Sequence, residues 1–384
     1  MRSPEVVVVG GRVAGAATAL LLARLGHDVL VVDRTDPGSD TLSTHALMRP
    51  AVLQLHRWGV LDAIVAAGTP AIERITLGFG DGRVSFDLKH DFGVRALYAP
   101  RRTVLDSALL AAAVKEGVEF RAGTRARAVT RDIAGRVDGV VLDTGGNQTT
   151  MRSRCLVGAD GMTSRVAEMV GATTYESYRP TSSVIYGYFE GVEAAGYEFQ
   201  FTPGAGSGII PTNTGLVNVF ASWPSRATST DTESWFHRVL EVSSPAIAAR
   251  VRAGVRVGRF RRSPGVPGFL RTPGGPGWAL VGDAGSTKDP ITAHGISDAL
   301  RDAELTARAV HRSLVEPGAE ASAFHEYRAT RDRFALPLLR EGRALASYRW
   351  DAEEASARLR TLSAISDDEC RFLTSQGAAD GLAA

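Results

Sequence analysis

A glycine-rich turn near the start of the chain has the residue types and the spacing that can hold phosphate groups. Val6–Val9 is a β-branched run that predicts a buried strand, and the sequence GGRVAG at Gly10–Gly15 follows it directly. In such a turn the first glycine permits the tight bend, the second brings backbone close to a pyrophosphate, and the third lets the next helix lie against the strand. The second position is Arg12, so either Gly11 allows the close approach or the arginine side chain itself faces the phosphate.

The residues after this turn complete a β-α-β unit. Small residues and leucines, with no charge before Arg24, predict a helix packed closely on a sheet, and the sequence DVLVVD at 28–33 predicts a second buried strand. Asp33 ends that strand, where its carboxylate can accept hydrogen bonds from an adenosine ribose. The unit has the size of a Rossmann crossover, about 30 residues, so it predicts a site for the ADP half of a dinucleotide, with the phosphates at the helix N-terminus.

Two later segments each predict a short buried strand that runs into a turn. Cys155–Arg165 reads CLVGADGMTSR, and the segment 279–303 begins ALVGDAG. Either one alone is typical of an ordinary strand and turn, and the first glycine loop alone could belong to another α/β fold. Together, in this order, they predict one nucleotide-binding domain whose parts come from the start, the middle and the end of the chain.

The three motifs together resemble those of the FAD-dependent monooxygenases of the para-hydroxybenzoate hydroxylase type, the single-component aromatic hydroxylases, over nearly the whole chain. The stretches 40–67 and 288–309 resemble bacterial tailoring oxidoreductases of this class most closely. The resemblance implies that the first motif holds the ADP part of FAD. It also implies that Asp160-Gly161 lies near the pyrophosphate and that Gly282-Asp283 holds the ribityl chain through the aspartate.

Further positions follow from the same resemblance. It places Arg102 beside the cofactor at a helix start, although a surface arginine capping that helix is an equal alternative, and it places Ala126 in the backbone beneath the adenine. A loop before a long helix would cross the isoalloxazine ring, and free N–H groups at that helix start would stabilise negative charge on the reduced flavin. The predicted cofactor contacts are Gly10, Gly11, Arg12, Val13, Ala14, Gly15, Asp33, Arg34, Thr44, His45, Arg102, Ala126, Asp160, Gly161, Arg165, Gly282, Asp283, Pro290, Gly295 and Ile296.

His45 is the one candidate for a catalytic side chain. The family loop that corresponds to residues 40–45 passes near the flavin edge, where an imidazole could contact the flavin or a substrate hydroxyl; the alternative is a histidine that caps the helix starting near Pro50. Aromatic residues of the middle segment could line a substrate pocket, but their alternation on strands makes ordinary sheet core the expected role for most of them, and only two or three are expected to touch substrate. These are Tyr186, Phe199, Phe201, Phe220 and Trp223.

The resemblance implies a reaction in which the flavin carries the chemistry. NADH or NADPH, binding transiently, would reduce FAD, and O2 would then form a C4a-hydroperoxyflavin that hydroxylates or epoxidises a small apolar, aromatic metabolite of secondary metabolism. A halogenase is one alternative, although no W-x-W-x-I-P segment is found; Lys288 near the flavin loop keeps it open. A geranylgeranyl-reductase-like oxidoreductase and a non-enzymatic FAD-binding sensor are the others.

The order of the segments predicts an α/β fold with an inserted domain. A Rossmann-like FAD-binding domain of the GR2 type would comprise residues 1–75, 98–178 and 273–320. A β-sheet substrate domain would comprise 76–97 and 179–272, and a C-terminal helical segment would follow at 321–384. Arginines and acids of that last segment are expected on its exposed face.

Composition excludes several other classes of protein. The 384 residues are 44% apolar and 22% charged, which is a globular composition, and 44 basic against 42 acidic residues predict neither a nucleic-acid nor a membrane partner. Cys155 and Cys370 fit no disulfide framework and no metal-ligand spacing, so no metal is predicted. No run of about 18 apolar residues predicts a membrane helix. We therefore expect a cytoplasmic bacterial enzyme, as a monomer or a homodimer, whose partners are a small-molecule substrate and O2.

Overall fold

The computed structural model describes residues 3–225 and 231–377. Residues 1–2, 226–230 and 378–384, which belong to the three predicted domains, lie outside the described residues. The strands are β1 (Val6–Val9), β2 (Val29–Val32), β3 (Arg74–Phe79), β4 (Gly82–Asp87), β5 (Glu119–Arg121), β6 (Thr124–Arg131), β7 (Val137–Thr144), β8 (Asn147–Arg152), β9 (Cys155–Gly158), β10 (Thr174–Tyr178), β11 (Ser182–Glu190), β12 (Tyr197–Thr202), β13 (Ala205–Pro211), β14 (Val217–Pro224), β15 (Val255–Ser263), β16 (Gly268–Arg271), β17 (Gly274–Gly275), β18 (Trp278–Leu280) and β19 (Ser286–Thr287).

Helices cover the sheets and form the C-terminal part of the described chain. They are α1 (Val13–Arg24), α2 (Arg49–Arg57), α3 (Leu61–Ala66), α4 (Arg102–Lys115), α5 (Arg165–Val170), α6 (Thr232–Ser243), α7 (Pro245–Ala253), α8 (Gly295–Val315), α9 (Glu320–Ala346) and α10 (Ala352–Gly377). None of the helices in residues 3–225 and 231–377 is long and apolar enough to cross a membrane.

A six-stranded sheet in the order β17-β18-β9-β1-β2-β5 carries the nucleotide motifs. Its strands β18, β9, β1, β2 and β5 run parallel. Val6 and Val8 pack in one core with α1 and α8, whereas Val7 and Val9 pack in a second core with β7. Because both faces of β1 are covered, the strand is a continuous apolar run, as parallel sheets require. The predicted α/β fold is confirmed.

A seven-stranded sheet in the order β15-β11-β14-β13-β12-β3-β4 lies against the nucleotide part. The early hairpin β3–β4 joins this sheet through parallel pairing of β3 with β12. Alternate residues of β11 divide between two cores: Tyr186 and Tyr188 belong to the core shared with the nucleotide part, and Ile185 and Phe189 pack under α6 and α7. The sheet therefore has an inner and an outer face, and period-2 alternation decides which side chain reaches which.

Two features of the helices add to the sequence analysis or contradict it. Residues 232–253 form two helices, because Ser244 has an extended backbone and its Oγ accepts a hydrogen bond from Ile247 N (3.3 Å), so that α7 starts anew with Pro245 at its first turn. In the C-terminal segment, Arg331 and Glu369 are fully buried instead of exposed. Both side chains form ion pairs inside the protein, which is what allows charged groups to be buried.

Candidate active site

One cavity of about 930 Å³ extends from the glycine loop to the seven-stranded sheet. This volume is at the upper end of the range of about 300–1,000 Å³ that ligand pockets span. Walls come from both parts of the chain, and they include nearly all the residues expected to contact a cofactor. Those that line the cavity are Gly10, Arg12, Val13, Ala14, Asp33, Arg34, Thr44, His45, Arg102, Ala126, Asp160, Gly161, Arg165, Gly282, Asp283, Pro290, Gly295 and Ile296.

Gly11 and Gly15 lie outside the lining of this cavity. A Cβ on Gly15 would stand 1.8 Å from the carbonyl oxygen of Gly10, and one on Gly11 would stand 2.8 Å from the Phe120 ring. These two glycines therefore permit close packing of α1 and of β5 rather than contact with a ligand. The Arg12 side chain does line the cavity, so of the two alternatives left open for this loop, the arginine is the one that faces the phosphate position.

The N-terminus of α1 is open to a ligand. Arg12 is the residue before the helix, no side chain caps it, and no acid occupies the first turn. The first N–H groups of a helix have no partner within the helix, and the helix dipole makes this end favourable for anions. Gly10, at φ 111°, brings backbone to the same wall, and a Cβ there would lie 2.3 Å from the carbonyl oxygen of Ala159. This cradle fits a pyrophosphate.

Asp33 is fixed by the protein at the adenosine end of the cavity. Its Oδ2 accepts a hydrogen bond from Gly11 N (2.7 Å), and its Oδ1 accepts two from the backbone and hydroxyl of Thr35 (both 2.8 Å). A carboxylate has about four acceptor positions, so one remains for a ribose hydroxyl. Ala126 lies on β6 together with its lining neighbours Arg125 and Arg127, which places this strand beside the same end.

Asp160 and Gly161 build the turn that closes the middle of the cavity. Asp160 accepts hydrogen bonds from the hydroxyl of Ser164 (2.5 Å) and from the backbone of Arg165 (2.7 Å) and Val166 (3.1 Å). Gly161 has a positive φ of 83°. The carboxylate therefore holds the start of α5 in place while one of its edges lines the cavity. The Arg165 side chain is exposed at the cavity mouth, where it pairs with Glu168.

Gly282 and Asp283 occupy the position expected for the ribityl chain. Gly282 has φ 59°, and a Cβ there would lie 2.7 Å from the Ala14 Cβ, so only glycine lets this turn meet α1. Asp283 faces the cavity and makes no hydrogen bond or ion pair within residues 3–225 and 231–377. Enclosure by protein on its other sides raises the pKa of its carboxyl, although Lys288 and Arg102 oppose that shift. An unpartnered carboxylate of this kind fits a ligand rich in hydroxyls.

A second uncapped helix start also lines the cavity. Helix α8 begins at Gly295, and no side chain caps it. A Cβ on Gly295 would meet nothing within 4 Å, so the backbone here borders open space in the cavity. Pro290 begins the preceding 3-10 turn, and Ile296 lines the wall next to it. Free N–H groups at this end are suited to a ring that gains negative charge.

Arg102 points into the cavity wall and is not a surface residue. Its guanidinium donates to both carboxylate oxygens of Asp106 at 3.0 and 3.1 Å, and the side chain is only 13% exposed. The pKa of the Asp106 carboxyl is raised because burial outweighs this pairing. The ion pair fixes the arginine beside Arg12 and Asp283, where it adds positive charge to the phosphate and ribityl region.

His45 lines the cavity in a conformation that is rare for a residue with a side chain. Its φ is 71°, it is 1% exposed, and its Nε2 is hydrogen-bonded to the Tyr188 hydroxyl (2.5 Å). The Nδ1 atom is buried and has no partner in the described part of the chain. Burial, together with Arg102, Arg101 and Arg261, lowers the pKa of His45 to about 3, so the ring is neutral near pH 7. Helix α2 is preceded by Met48 without a side-chain cap, so His45 does not cap it.

Of the five aromatic side chains considered for the substrate pocket, only Tyr186 lines the cavity. Its hydroxyl accepts a hydrogen bond from Ser43 N (3.0 Å). Phe199 and Phe220 pack against each other, and Phe201 stacks on Phe79. Trp223 lies on the outer face of the sheet against Trp235. The role of ordinary sheet core expected for most of the five is therefore confirmed, and which of them touch substrate stays a prediction.

The sequence reasoning missed a charged group next to the sheet end of the cavity; its side chains lie outside the residues that line the cavity. Arg261 of β15 donates to Asp40 Oδ2 (2.6 Å), and Arg101 lies near the same oxygen (3.5 Å) with its guanidinium 4.1 Å from the centre of the Tyr188 ring. Arg261 is more than two hundred residues from Asp40 in the chain, so no local motif could have revealed the pair. Val184, Ser263 and Val266 line the sheet end itself.

Neither cysteine nor a metal cluster contributes to the site in residues 3–225 and 231–377. No group of three or more histidine, cysteine, aspartate or glutamate side chains there could hold a metal ion. Cys155 and Cys370 are free and buried, and burial raises the pKa of both thiols to about 12, so neither is a thiolate at neutral pH.

The geometry of the cavity agrees with the protein family that the sequence of this chain matches. A family model described as an FAD binding domain matches residues 3–341 of the chain. The chain belongs to this FAD-binding family. FAD is therefore the cofactor, and the observed cradle, the ribose acceptor Asp33 and the unpartnered Asp283 fit its pyrophosphate, adenosine and ribityl parts. The expected resemblance to FAD-dependent monooxygenases is confirmed at the level of family and fold.

Individual relatives of this FAD-dependent oxidoreductase differ in their reactions. Menaquinone reductase of Mycolicibacterium smegmatis is 29% identical over 323 residues, which is 79% of this chain and 75% of that protein. Aklavinone 12-hydroxylase DnrF of Streptomyces peucetius subsp. caesius is 33% identical over 196 residues, which is 44% of this chain and 38% of that protein.

Solved structures share the fold at lower identity. PqsL from Pseudomonas aeruginosa, described as a probable FAD-dependent monooxygenase, has a TM-score of 0.78 at 24% identity and covers 94% of this chain and 100% of its own. The flavin-dependent brominase Bmp2 has a TM-score of 0.79 at 20% identity and covers 94% and 93%. At these identities the likeness establishes the fold alone.

Proposed function

We propose that this FAD-dependent oxidoreductase is a monooxygenase that uses NADH or NADPH and O2 to hydroxylate or epoxidise a small apolar, aromatic molecule. One observation carries the proposal. Val184 and Tyr186 of the seven-stranded sheet line the same cavity as Gly10 and Asp283, so cofactor and substrate share one space between two parts of the chain. Such an arrangement holds a substrate against the flavin and limits the access of water.

Bound FAD supplies the redox chemistry, accepting a hydride from the nicotinamide and reacting with O2. The chain supplies orientation and charge. The uncapped starts of α1 and α8 would present N–H groups to the cofactor, and Asp283, which also lines the cavity, would accept hydrogen bonds from its hydroxyls. The described residues of the cavity wall include no cysteine, so this part of the chain supplies no thiol to the reaction.

His45 would act on substrate as a neutral hydrogen-bonding group. If the Tyr188 hydroxyl donates to Nε2, the imidazole carries its proton on Nδ1, which is the atom without a partner. His45 would then be a donor to a substrate or flavin oxygen, held in one tautomer by the tyrosine. In the other tautomer Nδ1 would be an acceptor for a substrate hydroxyl. Either role uses hydrogen bonding and not the positive charge of an imidazolium.

A second candidate function is the reduction of a carbon–carbon double bond in a quinone or a prenyl chain. The observation that favours it is the extent of the likeness: the menaquinone reductase matches 79% of this chain, whereas the hydroxylase matches 44%. The same FAD site would serve both reactions, because the nucleotide motifs hold the cofactor and not the substrate.

The two functions are distinguished by whether the product contains an oxygen atom from O2 and by whether it forms without O2. The purified holoenzyme is incubated with NADPH or NADH and either a panel of hydroxylated polycyclic aromatics or a menaquinone, in air, under ¹⁸O2 and without O2. A monooxygenase transfers one ¹⁸O atom into an aromatic product and forms none without O2. Saturated menaquinone formed equally well without O2 would overturn the monooxygenase proposal and establish the reductase.

A further inference from the structure

Five charged side chains form a buried cluster directly behind the cofactor cavity. Three of them belong to α8, one to the segment before it and one to α10, and each side chain is at most 5% exposed. We call this group the buried charge cluster; its members are Lys288, Asp298, Arg301, Asp302 and Glu369.

Ion pairs connect the cluster from the cavity wall to the C-terminal helix. Lys288 Nζ pairs with the carboxylate of Asp298 in the first turn of α8. Asp298 Oδ1 also accepts a hydrogen bond from Arg301 (2.9 Å). Arg301 in turn donates to Asp302 Oδ1 (2.7 and 2.9 Å) and to Glu369 Oε1 (3.4 Å) on α10.

The cluster is a costly way to hold these elements together. Removing ions from water costs several kcal/mol each, and a buried ion pair is often no more stabilising than apolar side chains of similar volume. The second oxygens of Asp302 and Glu369 have no partner among the described residues. Burial raises the pKa of the Glu369 carboxyl, although Arg301 and Lys288 act in the opposite direction. Stability alone is therefore a weak explanation for the cluster.

Only one cation of the cluster reaches the cavity. Lys288 and Asp298 line it together with Asp283 and Gly295, whereas Arg301 is outside the lining and pairs with Asp298. Burial, with Arg301 as a like charge, lowers the pKa of Lys288 to about 8, although Asp302, Glu369 and Asp283 act in the opposite direction. Lys288 is thus a cation near neutral pH. The other two lysines, Lys89 and Lys115, are exposed and lie far from Lys288 in the sequence.

We propose that Lys288 tunes the reduction potential of the bound FAD, with Asp298 and the rest of the buried charge cluster holding the lysine in the cavity wall. A hydride from NADH or NADPH brings two electrons and one proton, so the isoalloxazine ring gains one negative charge while the nicotinamide becomes oxidised. A fixed ammonium group in the wall favours that charged form. The proposal rests on FAD as the cofactor and holds for a monooxygenase and for a reductase alike.

The test compares reduction potentials of the purified holoenzyme and its variants, measured by reductive titration against a reference dye. Lys288→Met removes the positive charge with little change of volume, and its potential should fall by about 30 mV or more, which corresponds to a tenfold loss in preference for reduced FAD at 29.6 mV per factor of ten. Lys288→Arg should keep most of the wild-type potential. Lys89→Met, on the exposed β4 side of the molecule, is the matched control and should leave the potential unchanged.

Asp298→Asn provides a second, independent test, which can still be made if Lys288→Met does not retain FAD. It removes a negative charge from the cavity wall and leaves Lys288 in place, so its potential should rise where that of Lys288→Met falls. A purely structural role for the cluster would lower the affinities for oxidised and reduced FAD equally. Unchanged potentials in Asp298→Asn, or in any Lys288→Met that retains FAD, would therefore overturn the proposal.

Discussion

The two ends of the cavity are built in different ways. At the nucleotide end, ligand-facing groups are mainly backbone: Gly10, the uncapped start of α1, and the turn at Gly282 that touches Ala14. At the sheet end, the wall consists of side chains from distant parts of the chain, such as Tyr186 with Ser43. A backbone site tolerates almost no change of residue at its glycines, whereas a side-chain wall can be altered one contact at a time.

The largest expected effect comes from a methyl group at the backbone end. Gly10→Ala places a Cβ 2.3 Å from the carbonyl oxygen of Ala159 in a residue with φ 111°, so the loop must move. We expect FAD affinity to fall at least about a hundredfold, since the lost phosphate contacts and the strain together exceed roughly 2.7 kcal/mol. Fluorescence titration of the apoprotein with FAD measures the affinity.

Gly135→Ala is the matched control, because Gly135 also has a positive φ of 81° but has no neighbouring atom within 4 Å of a Cβ. It should cost about 1 kcal/mol of folding free energy and leave FAD affinity as in the wild type. Equal losses of FAD affinity in both variants would mean that positive φ alone, and not the cradle, explains the result.

The next effect concerns the one unpartnered carboxylate of the cofactor site. Asp283→Ala should weaken FAD binding by about ten- to a hundredfold, because a lost hydrogen bond that leaves its partner unpaired costs about 1–3 kcal/mol. Glu168→Ala is the control: Glu168 lines the mouth of the same cavity but already pairs with Arg165 at the surface. A titration in which the two variants lose equal affinity would contradict the ribityl assignment. Asp298 is another carboxylate that lines this cavity, but it pairs with the buried Lys288, so its substitution would not serve as a control.

At the sheet end, His45 predicts a dependence of stability on pH. Its pKa is about 3 in the folded protein and 6.5 in the unfolded chain, so the unfolded state binds more protons between these values and stability is lost as pH falls through that window. From pH 6.5 to 5, His45 alone should cost roughly 1.5 kcal/mol of unfolding free energy. His294, whose pKa burial lowers to about 4, adds to the slope.

Urea unfolding of the wild type and of His45→Gln at pH 8, 6.5 and 5 measures this contribution. The variant should lose less stability between pH 6.5 and 5 than the wild type does, whatever its stability at pH 8. Parallel curves for the two proteins would show that folding does not lower the pKa of His45, so burial would not keep the ring neutral below pH 6.5.

Sequence reasoning identified the nucleotide end because each of its motifs lies within one short stretch. A buried strand, a glycine turn and a helix are contiguous from Val6 to Arg24, and Asp33 follows at the end of the next strand. The backbone geometry of such a unit is fixed by local sterics and by glycine positions. The structure adds that Gly11 and Gly15 permit close packing and lie outside the cavity lining. The sequence pattern alone does not distinguish a glycine needed for packing from one that contacts a ligand.

Side chains that meet across long sequence distances could not be predicted in the same way. Glu369 reaches Arg301 from 68 residues further along the chain. A charge pattern in helices predicts solvent exposure, and only the packing of α10 against α9 and α2 shows that these charges are paired inside. The predicted domain boundaries at 75, 97, 178, 272 and 320 stay a prediction, although β3 and β4 do join the sheet of the predicted substrate domain.

Alternation along a strand explains why neighbouring aromatic residues of the middle segment pack in different cores. Phe220 and Trp223 are three positions apart on β14, and residues an odd number apart point to opposite faces of a sheet. The sequence contains this alternation, but it does not show which face turns toward the cavity. Tertiary packing decides that, and it places Trp223 under α6.

The smallest expected effect comes from a variant on the cavity side of the seven-stranded sheet, compared with a variant on its outer face. Tyr186→Phe removes a hydroxyl that accepts a hydrogen bond from Ser43 N, next to the loop that carries His45. We expect up to about a tenfold change in the rate of peroxide release with NADPH, since one hydrogen bond contributes about 0.5–1.5 kcal/mol, and FAD affinity should stay unchanged. Trp223→Phe, on the outer face against Trp235, should lower the melting temperature and leave peroxide release as in the wild type. Peroxide release that changes equally in both variants would mean that the two faces of the sheet are not separated in function, because a general loosening of the sheet would then account for both.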